Sequence, residues 1–339
     1  MVPQDAERRV STGRSRLTIF VAAVVLLPAL VTHLIPARRD FDPKPIGHLR
    51  KKQPEAVLIG DSVLGGSIDP ALFAKETGLR DVELLWNGGA ASAAWYLLLK
   101  NYVVASGIHP RLVCIFFRER MLTDATFRTT PTYRRFLESL RHKKEPVYQA
   151  ILHGDEEDRS LLGRMIDWLY PLNTRRHVQQ EKISRLAFRV AAGGVSIGPL
   201  RRRVNEIFDP VKLREEIMNE SAEVTNEKRE EFTADPKRNF LPHIVETAKQ
   251  AGLPLCFVRE KRYPLPDGTT PQSADIQRYI ADLRRWVESH GCSFVDLTND
   301  PRPDQSMYTK PGDDHIRKGA KEQATRIYAD KLRPLLRPP

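Results

Sequence analysis

Ala56-Val57-Leu58-Ile59-Gly60-Asp61-Ser62 is the stretch on which the reading of this chain turns. Four consecutive apolar residues without polar alternation predict a short strand buried on both faces, the pattern of a parallel sheet covered by helices. The run stops at Gly-Asp-Ser, which sets one hydroxyl at the strand's exit. Ser62 is therefore a candidate nucleophile, and the rest of the chain is to be searched for its partners.

Working outward, similar apolar runs recur at 82–86, 112–117, 255–258 and 294–297, with helical patterns between them at 70–77, 91–106, 237–251, 273–290 and 318–332. Asp69-Pro70 supplies an N-cap and an N1 proline, and Gly78, Gly107, Gly252 and Gly291 stand just past helix ends as stops. This alternation predicts an α/β fold, a doubly wound parallel sheet of five strands within a domain spanning 54–335. From about 123 to 234 the alternation breaks. Apolar residues there recur at helical spacing, as in Leu161, Leu162, Met165, Ile166 and Leu169, so a helical insertion is expected, as a lid, an acceptor platform or a simple cap.

Upstream, residues 17–35 carry no charge and would form a helix about 28 Å long, close to the ~30 Å hydrocarbon core of a bilayer. They read as a single membrane-spanning anchor behind a short tail, 1–16. The competing reading, a cleaved signal peptide, lacks a small-x-small cleavage site before Arg38. Arginines flank both ends of the span, so their count does not set its orientation. The short N-terminus and export-type layout place the domain outside the cytoplasm. Residues 36–53, rich in proline and basic side chains, are expected to be a linker.

The 339 residues, 41% of them hydrophobic, suffice for a large core. A formal charge of +11 calls for an anionic neighbour, membrane or acidic polymer. Nucleic acid is not expected as a partner, because neither a zinc-finger spacing nor a basic stripe interleaved with aromatics is present. The three cysteines, Cys114, Cys256 and Cys292, sit in or beside strand runs without metal-type spacing and read as core thiols.

In a doubly wound sheet, ligands bind beyond the carboxyl ends of the strands. Ser62 follows the first strand, Asn87-Gly88-Gly89 the second and Arg118-Glu119-Arg120 the third, so all three share one edge. Gly312-Asp313-Asp314-His315 follows the fifth strand and precedes the last helix, and returns to the same edge. A serine hydroxyl needs a base to take its proton, and His315 is the candidate. A carboxylate, Asp313 or Asp314, would orient the imidazole, while backbone N–H groups of Ser62 and of Gly88 or Gly89 would face a developing oxyanion. This chemistry requires no metal and no cofactor.

On these residues the chain resembles the SGNH, or GDSL-type, hydrolase superfamily. Gly60-Asp61-Ser62 is similar to its first block, the glycines after Asn87 to its second, and the Asp-His pair before the final helix to its last. The resemblance implies a flavodoxin-like fold and a serine esterase or acyltransferase. Together with a membrane anchor it is similar to cell-envelope O-acetyltransferases, which implies an extracytoplasmic polysaccharide acceptor and leaves open a membrane partner that delivers acyl groups. The chain departs from the pattern twice. Arg118 stands where the third block has its oxyanion-hole asparagine, and it would act as a charged donor or bind an anionic substrate group. Gly312 stands where the last block has aspartate, and Asp313 is favoured over Asp314 by an Asp-x-His spacing known in some relatives. The alternative from another class is a catalytically silent module that binds polysaccharide.

Overall fold

The computed structural model describes residues 41–129, 131–153 and 231–336. The anchor at 17–35 and most of the insertion lie outside the described residues, and among the described ones no helix is long and apolar enough to cross a membrane.

Five parallel strands form one sheet in the order β2-β1-β3-β4-β5: β1 (Ala56–Gly60), β2 (Val82–Trp86), β3 (Leu112–Phe117), β4 (Leu255–Arg259) and β5 (Ser293–Asp296). Every residue of the inner strands β1, β3 and β4 is buried, which is why those runs carry no polar alternation. The edge strands β2 and β5 are only partly covered.

Side chains alternate across the pleat and build two cores. On one face Val57, Ile59, Val113, Ile115 and Phe257 pack with α4 (Ser92–Leu98), α7 (Leu241–Gln250) and α8 (Ala274–Ser289). On the other, Ala56, Leu58, Cys114, Phe116 and Cys256 pack with α2 (Ser62–Ser67), α3 (Pro70–Thr77) and α9 (Lys321–Leu336). Cys114 and Cys256 face each other across β3 and β4 as free buried thiols. Burial pushes the Cys114 thiol well up, which keeps it unreactive.

Three expectations need correction. The stretch expected as a linker is helical over α1 (Lys44–Lys52), so the folded domain begins before Pro54. Pro45 suits the first turn, Arg50, Lys51 and Lys52 sit at the negative end of the helix, and Gln53 ends it in a left-handed conformation. Leu49 is fully buried against the core, and Lys52 pairs with Glu83 at 2.8 Å. The helix expected over 91–106 passes into a π-helical turn, Leu99–Val104, which directs the Asn101 amide onto Leu140 O at 2.8 Å and Glu145 at 3.0 Å. The first part of the insertion, α5 (Pro131–Ser139) and α6 (Pro146–His153), is thereby docked on the sheet's helical layer, with Leu137, Leu140 and Tyr148 in the core. Finally, the helix expected from 237 starts at Leu241, because Asp235 closes a turn ahead of it through the N–H of Lys237, at 2.9 Å.

Candidate active site

The switch point of the 2-1-3-4-5 order lies between β1 and β3, whose connections leave in opposite directions along the sheet, and the candidate residues gather at its carboxyl end. Helix α2 starts immediately after β1. A Cβ on Gly60 would come within 2.8 Å of Leu64, so the tight exit requires glycine. Asp61 caps α2, its Oδ1 accepting the Val63 N–H at 2.8 Å, and this presents Ser62 in the first turn, half-buried.

The acid–base segment is a small hairpin. Tyr308 and Ile316 pair as an antiparallel bridge, Thr309 N–H donates to His315 O at 2.9 Å and Arg317 N–H to Met307 O at 2.8 Å. Its turn closes with Asp313 N–H on Lys310 O at 3.1 Å, and Gly312 adopts φ +76°, a left-handed value that favours glycine. That conformation gives a physical reason for glycine at the position where the family pattern has aspartate. The carboxylate comes one residue later. Asp313 Oδ1 accepts the His315 Nδ1–H at 2.6 Å and the His315 backbone N–H at 3.0 Å, while Oδ2 accepts the Thr309 hydroxyl at 2.7 Å. Partial burial pushes the Asp313 carboxyl up, but the hydrogen bonds from His315 and Thr309 outweigh it and hold the group below the usual range.

An ionised carboxylate only accepts, so the imidazole proton resides on Nδ1 and Nε2 is left as acceptor. Ser62 Oγ lies 2.9 Å from that Nε2. Serine, histidine and aspartate thus form one continuous relay across 253 residues of sequence.

Asp314 points elsewhere. It accepts Arg118 Nη1–H at 2.8 Å and the Tyr263 N–H at 3.2 Å, with Arg262 at 3.6 Å, so it is not the carboxylate that orients His315. Arg118 corrects a second expectation. Its guanidinium is committed to Asp314 and, through Nη2, to Asp61, so it does not serve as a free oxyanion donor or anion hook. Burial lowers its proton affinity, but the neighbouring carboxylates, Asp61 first and Asp314 with it, outweigh that and keep it charged.

Two further members of this cluster have no counterpart in the sequence reading. Arg128, in a left-handed backbone conformation at φ +58°, donates to Asp61 Oδ2 at 3.1 Å and to Ala90 O at 3.3 Å. Glu260 immediately follows β4, and its N–H bonds Phe117 O at 2.9 Å. Its side chain is 1% exposed, its nearest charge is Arg118 Nε at 3.9 Å, and neither carboxyl oxygen has a hydrogen-bond partner. The position of Glu260 right after a strand end was the signal that could have found it, whereas nothing in the local pattern marks Arg128.

Burial, joined by Asp61 and Asp314 and opposed by Arg118, pushes the Glu260 carboxyl well above its ordinary range. The folded protein then holds a proton that the unfolded chain releases. Stability must fall as pH rises from the unfolded toward the folded value. Glu260→Gln removes this penalty, so its melting temperature relative to wild type should rise as pH is raised above the ordinary glutamate range, as thermal unfolding at several pH values would check. A difference independent of pH would contradict the protonated state.

Asn87-Gly88-Gly89 forms a turn closed by Ala90 N–H on Asn87 O at 3.0 Å. Asn87 and Gly88 are exposed, Gly89 adopts φ +87°, and the Tyr133 ring lies so close that a Cβ on Gly89 would fall 2.2 Å from it. Just before the turn, Trp86 is 49% exposed and its ring lies over Gly65, whose Cβ would fall 2.4 Å from it. Ser62 and Gly65 are three apart and lie on one side of α2. Among the described residues no cluster of three or more His, Cys, Asp or Glu is placed to hold a metal ion.

Solved structures with related architecture give the comparison. The chain resembles GDSL-like lipases and acylhydrolases. A GDSL-like lipase from Bacteroides thetaiotaomicron is 12% identical over 86% of this chain and 98% of its own, with a TM-score of 0.36. A lipase/acylhydrolase from Enterococcus faecalis is 11% identical over 84% and 98%, with a TM-score of 0.34. An alpha/beta hydrolase enzyme from the metagenome of Lake Arreo, Spain, is 13% identical over 84% and 97%, with a TM-score of 0.34. No family model matches the chain, and neither does any curated protein. At these identities and scores the functional argument rests on the site's own geometry.

Proposed function

We propose that this chain is an SGNH-type serine enzyme that transfers acyl groups through an acyl-Ser62 intermediate, acting on an extracytoplasmic cell-envelope polysaccharide and held at the membrane by residues 17–35. The observation that carries the reading is the relay from Ser62 Oγ to His315 Nε2 at 2.9 Å and from His315 Nδ1 to Asp313 at 2.6 Å. In the forward step Ser62 Oγ attacks the acyl carbonyl while His315 Nε2 takes the hydroxyl proton, and Asp313 stabilises the imidazolium. Backbone N–H groups of Ser62 and of Gly88 or Gly89 would receive the oxyanion. The imidazolium then returns its proton to the leaving alkoxide, freeing the alcohol and leaving the acyl group on Ser62. In the second step His315 deprotonates the acceptor, whose oxygen displaces Ser62. Water as acceptor makes the protein an esterase, and a sugar hydroxyl makes it an O-acyltransferase. An anchor and a large insertion favour a polymeric acceptor.

A silent binding module would have no use for an ordered relay. Its one support is the missing third-block asparagine, which Arg118, paired with Asp314 and Asp61, does not replace.

The exposed Trp86 ring, which lies over Gly65 one turn from Ser62, suits the C–H face of a sugar ring, a contact expected to contribute on the order of 1 kcal/mol. Trp86→Ala is therefore expected to raise KM for acetylated xylan up to about tenfold while leaving turnover of vinyl acetate nearly unchanged. Steady-state release of acetate from the two substrates checks this. Equal losses on both would make Trp86 a structural residue, and turnover of vinyl acetate without any on acetylated glycans would sink the polysaccharide assignment.

A further inference from the structure

Asp61 precedes the candidate nucleophile, and its two oxygens have separate tasks. Oδ1 caps α2, while Oδ2 receives both Arg118 Nη2 and Arg128 Nη1. Each arginine continues to a different wall of the site. Arg118 Nη1 reaches Asp314, the residue before His315, at 2.8 Å. Arg128 Nη1 reaches Ala90 O, at the end of the Asn87-Gly88-Gly89 turn, at 3.3 Å. One carboxylate thus joins the serine's strand exit, the acid–base hairpin and the candidate oxyanion turn.

We infer that Asp61, Arg118 and Arg128 form a positioning clamp that holds Ser62 Oγ on His315 Nε2 and keeps the 87–90 turn against the same point. The inference rests on the acyl-transfer reading of Ser62 and goes beyond it in assigning these three residues. The three segments sit on separate loops, and the clamp ties them to one another directly. The clamp is dry: the Asp61 side chain is 1% exposed, Arg118 12% and Arg128 17%, so its ion pairs escape most of the screening by solvent and salt. Glu260 and Arg262 face the same groups, at 3.9 Å from Arg118 and 3.6 Å from Asp314. Arginine is the side chain that can do this, since its planar fork serves two carboxylates at fixed angles, whereas a lysine serves as a point charge. A displacement of about 1 Å between reacting groups can cost on the order of 10²-fold in rate.

The test uses the full chain and compares wild type with Arg118→Met, Arg118→Lys, Asp314→Asn and the double variant Arg118→Met/Asp314→Asn. Two readouts are taken on protein shown to be folded by circular dichroism: labelling of Ser62 by a fluorophosphonate, located by peptide mass, and kcat and KM for p-nitrophenyl acetate. Arg118→Met and Asp314→Asn should each lower kcat and the labelling rate by on the order of 10²-fold with KM within about threefold. The double variant should be no slower than the slower single one, because both break the same link. Arg118→Lys should restore part of the loss. Wild-type kcat in folded Arg118→Met, or a double-variant loss equal to the product of the two single losses, overturns the clamp. If Arg118→Met does not fold, Arg118→Lys, Asp314→Asn and their double carry the same comparison. Absence of Ser62 labelling in the wild type overturns the acyl-transfer reading together with the clamp, whereas labelling that proceeds equally fast in all variants overturns the clamp alone.

Discussion

Ser62→Ala and His315→Ala are each expected to lower kcat for ester turnover by on the order of 10⁴ to 10⁶ while the domain stays folded. The size follows from the relay. Without Oγ no covalent intermediate forms, and without Nε2, 2.9 Å away, the hydroxyl keeps its proton and is a poor nucleophile. Because the two act as one unit, the double variant should be little worse than either single one. Neither substitution removes a core contact: Ser62 and His315 are both half-buried, so the melting temperature should move little. Rates measured with p-nitrophenyl acetate on folded protein test this, and a single variant that keeps most of its activity contradicts the assignment.

The second large effect separates neighbouring aspartates. Asp313→Asn should lower kcat by on the order of 10⁴, since an asparagine facing Nδ1 can favour the wrong tautomer and cannot stabilise an imidazolium. Asp314→Asn should cost far less, because its partners are Arg118, the Tyr263 N–H and Arg262 rather than His315. The pH dependence follows from the Asp313 shift. Burial raises this carboxyl, but the hydrogen bonds from His315 and Thr309 lower it further, so its folded value lies below the unfolded one. Its stabilisation is therefore present above the unfolded value and disappears as pH falls through the folded one. Acid unfolding should accordingly show this loss in wild type and not in Asp313→Asn, as thermal unfolding at several acidic pH values would check. Equal losses at Asp313 and Asp314 would mean that neither orients His315.

Much of this arrangement is legible in the sequence, for identifiable reasons. The inner strands are covered on both faces, so Leu112 to Phe117 and Ala56 to Gly60 stand out as unbroken apolar runs. The edge position of Ser62 and of the hairpin follows from strand order alone. Helix α1 is hidden because only Leu49 is buried and its remaining side chains show no apolar period. Asp-x-His spacing favours Asp313 over Asp314, while the turn phase that decides between them is set by Gly312 at φ +76°, which is visible only in the folded hairpin. The role of Arg118 is hidden for another reason. Its partners Asp61 and Asp314 lie 57 and 196 residues away, and only the folded sheet brings them together.

The central claim is that Ser62 becomes acylated with His315 as its base. The most direct measurement is peptide mass analysis after brief mixing of the full chain with p-nitrophenyl acetate and an acid quench. An acetyl group on the peptide carrying Ser62 in wild type, absent in His315→Ala, is the result expected. No adduct on that peptide, together with ester turnover no greater than that of Ser62→Ala, would contradict it.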